Sequence, residues 1–292
     1  MAKLKKPVFD MYRFQIVPTA KSFQLPLIQD ELLNGIESMV DLIKNKNEIL
    51  SKILLNDQLK FFSGSKRIVH KTLQFSNNEM VGFKMGKEKT DQVETATLEL
   101  VTIERYPQFN VLFDLDSNSQ VVLIQQAYKA QSSTESVANA LSRSLNRALK
   151  NIQLQISIQP IYEQDELSKI LEEYQGKIRS LSFHFMRPNM AALSDELSEG
   201  IKEYMKDLNS SQAVLKTDAP ADGVLDIAKE NPTLVGLNKY CSKGGGYAAV
   251  RVKNKRKSIK TGKTKKTVDV EIEIFDRELA IEILRGIIKE ND

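Results

Sequence analysis

The chain is expected to fold as an α+β protein: mostly antiparallel sheets with packed helices, a basic β-hairpin near the C-terminus and a final helix. Three features predict this. In the first half, apolar residues alternate with period two around Asn- and Asp-rich turns. After Ser133, helical stripes alternate with short strands. Between Tyr247 and Phe275, two alternating runs flank a lysine-rich tip. At 292 residues, with 41% hydrophobic and 27% charged side chains, the chain can bury one large core or two ordinary ones.

Val8 to Val17 reads as the first strand, with Val8, Tyr12, Phe14 and Ile16 on one parity and Pro18 ending it. A helical stretch from Leu25 to Leu55 carries Leu32, Leu33, Ile36, Met39, Val40 and Ile43, then Leu50, Ile53 and Leu54. Lys44-Asn45-Lys46-Asn47 interrupts it, so one helix and two are equally compatible. Leu73 and Phe75 alternate before Asn77-Asn78, and Val81, Phe83 and Met85 after it. The clearest hairpin has Val111, Phe113 and Leu115 leading into Asp116-Ser117-Asn118-Ser119, and Val121 to Ile124 leading out.

Ser133-Thr134-Glu135 can cap a helix carrying Val137, Leu141, Leu145 and Ala148. Gln153 to Pro160 is a strand, and Leu167, Ile170, Leu171, Tyr174 and Ile178 mark the next helix. Leu181, Phe183 and Phe185 mark a strand that ends at Arg187-Pro188-Asn189. A helical stripe from Leu193 through Leu197, Ile201, Tyr204 and Met205 to Leu208 follows it. A strand near Ala213–Lys216, a helix near Gly223–Lys229, the hairpin, and a helix with Leu279, Ile283, Leu284, Ile287 and Ile288 complete the chain. The expected division is a β-rich part over 1–130, with its one long or two short helices, and an α+β part over 131–292 carrying the hairpin 247–275. Their connection is not Gly-, Ser- or Pro-rich, so the two parts are expected to pack together.

No apolar run reaches the roughly 18–20 residues of a membrane span. No apolar signal core follows Lys3, Lys5 and Lys6. Membrane insertion is therefore not expected, and a cytoplasmic location is. A single cysteine, Cys241, excludes an internal disulfide and a cysteine-rich zinc site.

The net charge of +4 conceals an asymmetry. Between Asn231 and Val268 there are 11 Lys or Arg and no acid; removing them leaves 31 basic against 38 acidic residues elsewhere. A basic island on an acidic chain suits a polyanionic partner. Its tip concentrates Lys255, Arg256, Lys257, Lys260, Lys263, Lys265 and Lys266 within twelve residues, with Ser258, Thr261, Gly262, Thr264 and Thr267 between them. Such a run repels itself and is expected to lack fixed structure alone, yet it can neutralise several phosphates. Asn254 is its one base-reading type of side chain, so the contact expected is to backbone phosphate. The competing reading is a solubilising loop or edge guard. On the flanking strands, Arg251 and Lys253 can equally face Asp269, Glu271 and Glu273 across the hairpin. The preceding Gly244-Gly245-Gly246 fits a helix end and turn, since it matches neither a phosphate loop nor a dinucleotide fingerprint. Tyr240 and Tyr247 beside it can be read as stacking on bases, with core packing the preferred reading.

Catalytic groups are sparse. Asp269, Glu271 and Glu273 alternate as an exposed amphipathic strand would, although they can also be read as carboxylates for a nuclease metal. His184 faces opposite to Phe183 and Phe185, His70 lies between Val69 and Lys71, and Cys241 lies between Lys239 and Lys243, which would lower its pKa. None of them has an identifiable catalytic partner in the sequence. No cofactor and no bound metal are expected.

Part of the chain has a family likeness. It contains Phe109-Asn110-Val111-Leu112-Phe113-Asp114, Val121-Val122-Leu123-Ile124-Gln125-Gln126, the strand Gln153 to Pro160, and Leu181-Ser182-Phe183-His184-Phe185-Met186-Arg187-Pro188-Asn189. This run resembles uncharacterised bacterial proteins found among antiphage defence genes, in which a strand ending in Pro-Asn precedes a helix. The resemblance implies a bacterial, cytoplasmic protein with a defence role and transfers no catalytic residue.

The combined expectation is a component of a defence system that binds nucleic acid, DNA or RNA, without sequence preference. The binding residues would be Lys253, Lys255, Arg256, Lys257, Lys260, Lys263, Lys265 and Lys266. The alternatives are an adaptor docking an acidic partner protein and a metal-dependent nuclease; a homo-oligomer is compatible with each.

Overall fold

The fold is taken from a computed structural model, which describes residues 6–24, 31–56, 59–63, 66–76, 79–190, 193, 195–228, 230–270 and 285–286. Its strands are β1 (Val8–Pro18), β2 (Phe61–Ser63), β3 (Lys66–Ser76), β4 (Met80–Lys87), β5 (Lys89–Glu94), β6 (Leu100–Arg105), β7 (Gln108–Asp114), β8 (Val121–Gln125), β9 (Leu154–Pro160), β10 (Ile178–Met186), β11 (Gln212–Asp218), β12 (Gly246–Val252), β13 (Ile259–Lys260) and β14 (Thr267–Asp269). The α-helices are α1 (Met39–Lys44), α2 (Lys46–Leu55), α3 (Thr134–Leu149), α4 (Asp165–Glu173), α5 (Glu199–Asp207) and α6 (Pro232–Tyr240). The protein is α+β, and every named pair of strands is antiparallel.

The first sheet runs β14-β1-β8-β7-β4-β3-β2, and β9 also pairs with β1. The β7–β8 and β3–β4 hairpins are those the alternation predicts, although the tip of the second lies outside the described residues. β1 is the organising strand. One edge carries β8; the other carries β14 along Val8–Asp10 and then β9 along Tyr12–Pro18. Both its faces are buried, so strict alternation of apolar and polar residues is not what its position demands. Tyr12, Phe14 and Ile16 pack with Leu42, Leu50, Leu54, Val137, Leu141 and Leu145 of α1, α2 and α3. Phe9 and Met11, of the other parity, pack with Ile161, Val268 and Val270.

The helical stretch before β2 begins only at Met39, since Glu31–Leu33 is a single 3-10 turn and residues 34–38 are not helical, and it divides at Asn45, where α1 ends and α2 begins. α3 begins where Ser133 accepts a hydrogen bond from the Ser136 amide. Both α3 and β9 belong with the first sheet, so the boundary between the two main cores falls near Ile161. The second sheet, β11-β10-β12-β13, packs one face on α4, α5 and α6 through Leu167, Phe183, Phe185, Met205, Leu237 and Val250.

Other local expectations change as well: the stripe from Leu193 to Leu208 is broken at residues 195–198, and α5 starts at Glu199. The helical stripe ending at Ile178 stops at Glu173, and Ile178 opens β10. Residues 223–228 are not helical: Gly223 closes a turn onto the Pro220 carbonyl, and the Leu225 amide bonds to Ile178. The helix there is α6, started by Asn231 and Pro232. The hairpin 247–275 is not one ribbon either. β12 pairs with β13 over two residues, and the chain then crosses to the first sheet, where β14 joins β1. Arg251 lies opposite Ser180 of β10, not opposite Asp269. Glu271, Glu273 and most of the expected final helix lie outside the described residues.

The two sheets meet where β1 touches the tight turn before β12. Gly244 has φ +84°, and a Cβ there would sit 2.4 Å from that of Arg13. Gly244→Ala is therefore expected to cost about 2–4 kcal/mol in urea unfolding, from positive φ and overpacking together. Gly200→Ala, in α5 with nothing within 4 Å of the added methyl, is the control and should leave stability equal or slightly higher.

Candidate nucleic-acid interface

The basic run divides into an anchored half and an exposed half. Glu166, in the first turn of α4 and 8% exposed, accepts the backbone N–H groups of Gly262 (2.9 Å) and Lys263 (3.1 Å) through its two carboxylate oxygens. The buried Thr261 hydroxyl donates to the Tyr162 hydroxyl and accepts from the Ala248 amide, both at 2.9 Å. Lys265 forms a bridge with Tyr162 and points its ammonium at Asp10, 3.8 Å away and largely buried. Lys266 exchanges backbone hydrogen bonds with Met11 and Ile161. Residues 259–266 are thus a fixed strap between the sheets. The self-repulsion expected of the tip is overcome because its backbone and two of its lysines find partners. Lys265 and Lys266 are drawn inward and half-buried, while Lys260, Lys263 and Thr264 stay exposed in this part.

Lys253, Lys255, Arg256 and Lys257 remain outside, on the turn after β12. Lys255 reaches the Tyr174 hydroxyl at 2.6 Å with its ammonium 4.2 Å from the ring centroid. Among the described residues no carboxylate pairs with Lys253, Arg256 or Lys257. Beside them lies a cleft of about 380 Å³ walled by Arg179, Ser180, Asp218, Arg251, Lys253 and Lys255. Its one acid, Asp218, pairs with Lys216 at 2.7 Å, whose hydrogen bond holds the carboxyl below its usual range.

The cleft opens onto the face of the second sheet that the helices do not cover. Register places Val214, His184 and Tyr247 side by side across β11, β10 and β12. Lys216, Ser182 and Ala249 form the next row, ending at Lys260 of β13, and Asp218, Ser180 and Arg251 the third. The His184 and Tyr247 rings stack at 4.6 Å and 9°, and the Lys260 ammonium lies 4.8 Å from the Tyr247 centroid. Burial, then the Lys260 charge, pushes the His184 pKa below its ordinary 6.5.

Alternation foretells that His184 points away from Phe183 and Phe185, yet the sequence reading leaves it without a role. Tyr247 corrects the expectation of a core residue: it shares its parity with Arg251 and stands half-buried on the open face. Tyr240 is indeed core, donating to the Met186 carbonyl at 2.6 Å. Arg179 and Lys216 join the site only through the sheet. The Cys241 thiol is fully buried, and that burial pushes its pKa upward, not downward; Lys239 and Lys243 pair instead with Glu196. No cluster of three His, Cys, Asp or Glu with metal-site geometry occurs among the described residues. None of their helices is long and apolar enough to cross a membrane.

Fold and site together define an α+β protein with two main sheets and a separate β5–β6 hairpin, one main sheet having an exposed, cation-rimmed face. Residues 33–289 match the family described as "Domain of unknown function (DUF4747)", and the chain belongs to that family. No curated protein and no solved structure matches it.

Two outcomes are expected. Glu166→Ala should cost about 1.5–3 kcal/mol, the range for hydrogen bonds to a charged acceptor, and speed hydrogen exchange at the Gly262 and Lys263 amides. His184 should titrate below 6.5 by NMR and move upward in Lys260→Gln. Its folded pKa is depressed, so its stabilising contribution is complete above about 6.5 and is lost as pH falls through the folded value. Lys260→Gln should flatten that loss.

Proposed function

We propose that this protein binds nucleic acid through phosphate contacts, without sequence preference. The observation that carries the reading is the cleft where Arg179, Arg251, Lys253 and Lys255 converge around an acid already neutralised by Lys216. Arg256 and Lys257 extend the positive surface from its edge. Exposed, unpaired cations are the groups that release counterions on meeting a phosphate chain. Of the residues first assigned to binding, Lys253, Lys255, Arg256, Lys257 and Lys260 keep that role. Lys265 and Lys266 hold the strap, and Lys263 contributes only at its margin. A defence role rests on the sequence resemblance alone, since the family description states no activity.

With about four phosphates engaged, binding to a single-stranded oligomer should weaken with a slope of roughly −3 in log K against log salt. Lys253→Glu, Arg256→Glu and Lys257→Glu combined should abolish measurable binding at 0.15 M salt. Stability should stay within about 0.5 kcal/mol, as these side chains are exposed. Full-strength binding by that variant would overturn the reading. Co-purification with a protein that survives nuclease treatment would favour the adaptor instead.

A further inference from the structure

We infer that the open face of the second sheet is a base-stacking platform, which makes single-stranded nucleic acid the ligand of this site. The inference rests on the nucleic-acid reading and adds a ligand class to it. Phosphate contacts alone do not distinguish a single strand from a duplex; an unpaired base does, because its π-face is free to stack.

The platform is built from cross-strand pairs. His184 and Tyr247 are directly opposite in the β10–β12 register, their near-parallel rings stack at 4.6 Å, and the imidazole Nε2 is fixed by the Ser182 hydroxyl 3.2 Å away. Tyr247 is closed on its far side by the Lys260 ammonium. The far side of His184 looks toward β11, where its opposite residue is Val214, 55% exposed and too short to cover an imidazole. A base laid there continues the existing stack.

The adjoining row supplies a low floor. Ser182 and Ala249 are small, and they are flanked by Lys216 on β11 and Lys260 on β13. Lys216 is shared with Asp218, so among the described residues Lys260 is the free cationic margin, standing about where the backbone of a strand crossing the sheet would pass. Rows on one face recur about every 7 Å and strands about every 4.8 Å. Four strands thus give a surface about 14 Å across, room for about two or three bases, the number such sheets stack. The strip ends in the Arg251–Lys253 cleft, so stacking and phosphate contacts are continuous. A duplex keeps its bases stacked on one another and offers this flat face only its phosphates.

The test uses the full-length protein and fluorescence anisotropy with three labelled probes of equal phosphate number: oligo(dT), an abasic oligomer and a duplex. Oligo(dT) should bind about ten-fold more tightly than the abasic oligomer, a modest outcome for one or two stacked bases. In His184→Ala/Tyr247→Ala the ratio of the two affinities should fall to about one, which reads stacking directly even if the variant loses stability. Equal binding of oligo(dT) and the abasic oligomer by the unaltered protein would overturn the platform while leaving phosphate binding intact. A duplex bound as tightly as oligo(dT) would do the same. Failure to bind any probe at low salt would overturn both readings. Polyglutamate competing as well as oligo(dT) would replace nucleic acid with an acidic protein partner.

Discussion

The structure depends on a guanidinium buried in the joint between its two sheets. Arg13 is 3% exposed and donates to the carbonyl oxygens of Ser119 and Lys243, each at 2.5 Å. Ser119 precedes β8 in the first sheet, and Lys243 lies in the turn that leads into β12 of the second. A buried cation costs several kcal/mol unless its donors are satisfied, so this geometry is demanding. It also explains Gly244, which must lie against the Arg13 side chain; Gly246, with φ +155°, is required instead by β10, since its Cβ position is only 2.0 Å from the His184 carbonyl oxygen. Gln15 adds a bond to the Gly244 carbonyl at 3.4 Å. Polar residues on a strand buried on both faces thus locate the start of β12, and with it Tyr247 and Arg251.

A second tie runs back along the basic segment. Asp10 of β1 accepts hydrogen bonds from Gln126 and Thr134 and faces Lys265, while Glu166 clasps the backbone of Gly262 and Lys263. These carboxylates are what allow so many lysines to follow a defined path. The charge that Lys265 spends on Asp10 is not available to a ligand, whereas Lys253, Arg256 and Lys257 before the strap and Lys260 and Lys263 within it stay exposed. The distribution separates two tasks that a count of lysines merges.

Much of the fold was legible because it is local. The β7–β8 hairpin and the Ser133 cap are each decided by a few neighbouring residues and stand where the pattern puts them, while Lys44–Asn47 left one helix or two open and the chain takes two. Period two also set the facing of His184 correctly, since it needs no knowledge of the partner strand. What periodicity does not carry is which strand lies alongside. Val268 and Val270 read as the return of a hairpin from Val250 and Val252, but their partners are Phe9 and Met11 from the opposite end of the chain. That long-range pairing moves Asp269 away from Arg251 and leaves Arg251 beside Ser180. The site was half-legible for the same reason. Its lysines form one run, whereas His184, Lys216 and Arg179 come from two other strands.

Lys260 connects the electrostatics of this face to its shape. Its ammonium caps the Tyr247 ring, and its charge, after burial, is the second cause of the depressed His184 pKa. The imidazole is therefore held neutral near pH 7, and a neutral ring can be covered by a base without stripping water from a charge. A phosphate placed on Lys260 offsets the same charge and relieves that pressure on His184. Anion binding and protonation of His184 consequently favour one another, by equal amounts in either order. The cation that would bind the backbone also adds to the effect of burial in keeping neutral the ring on which the base would rest, so the two parts of the surface are coupled.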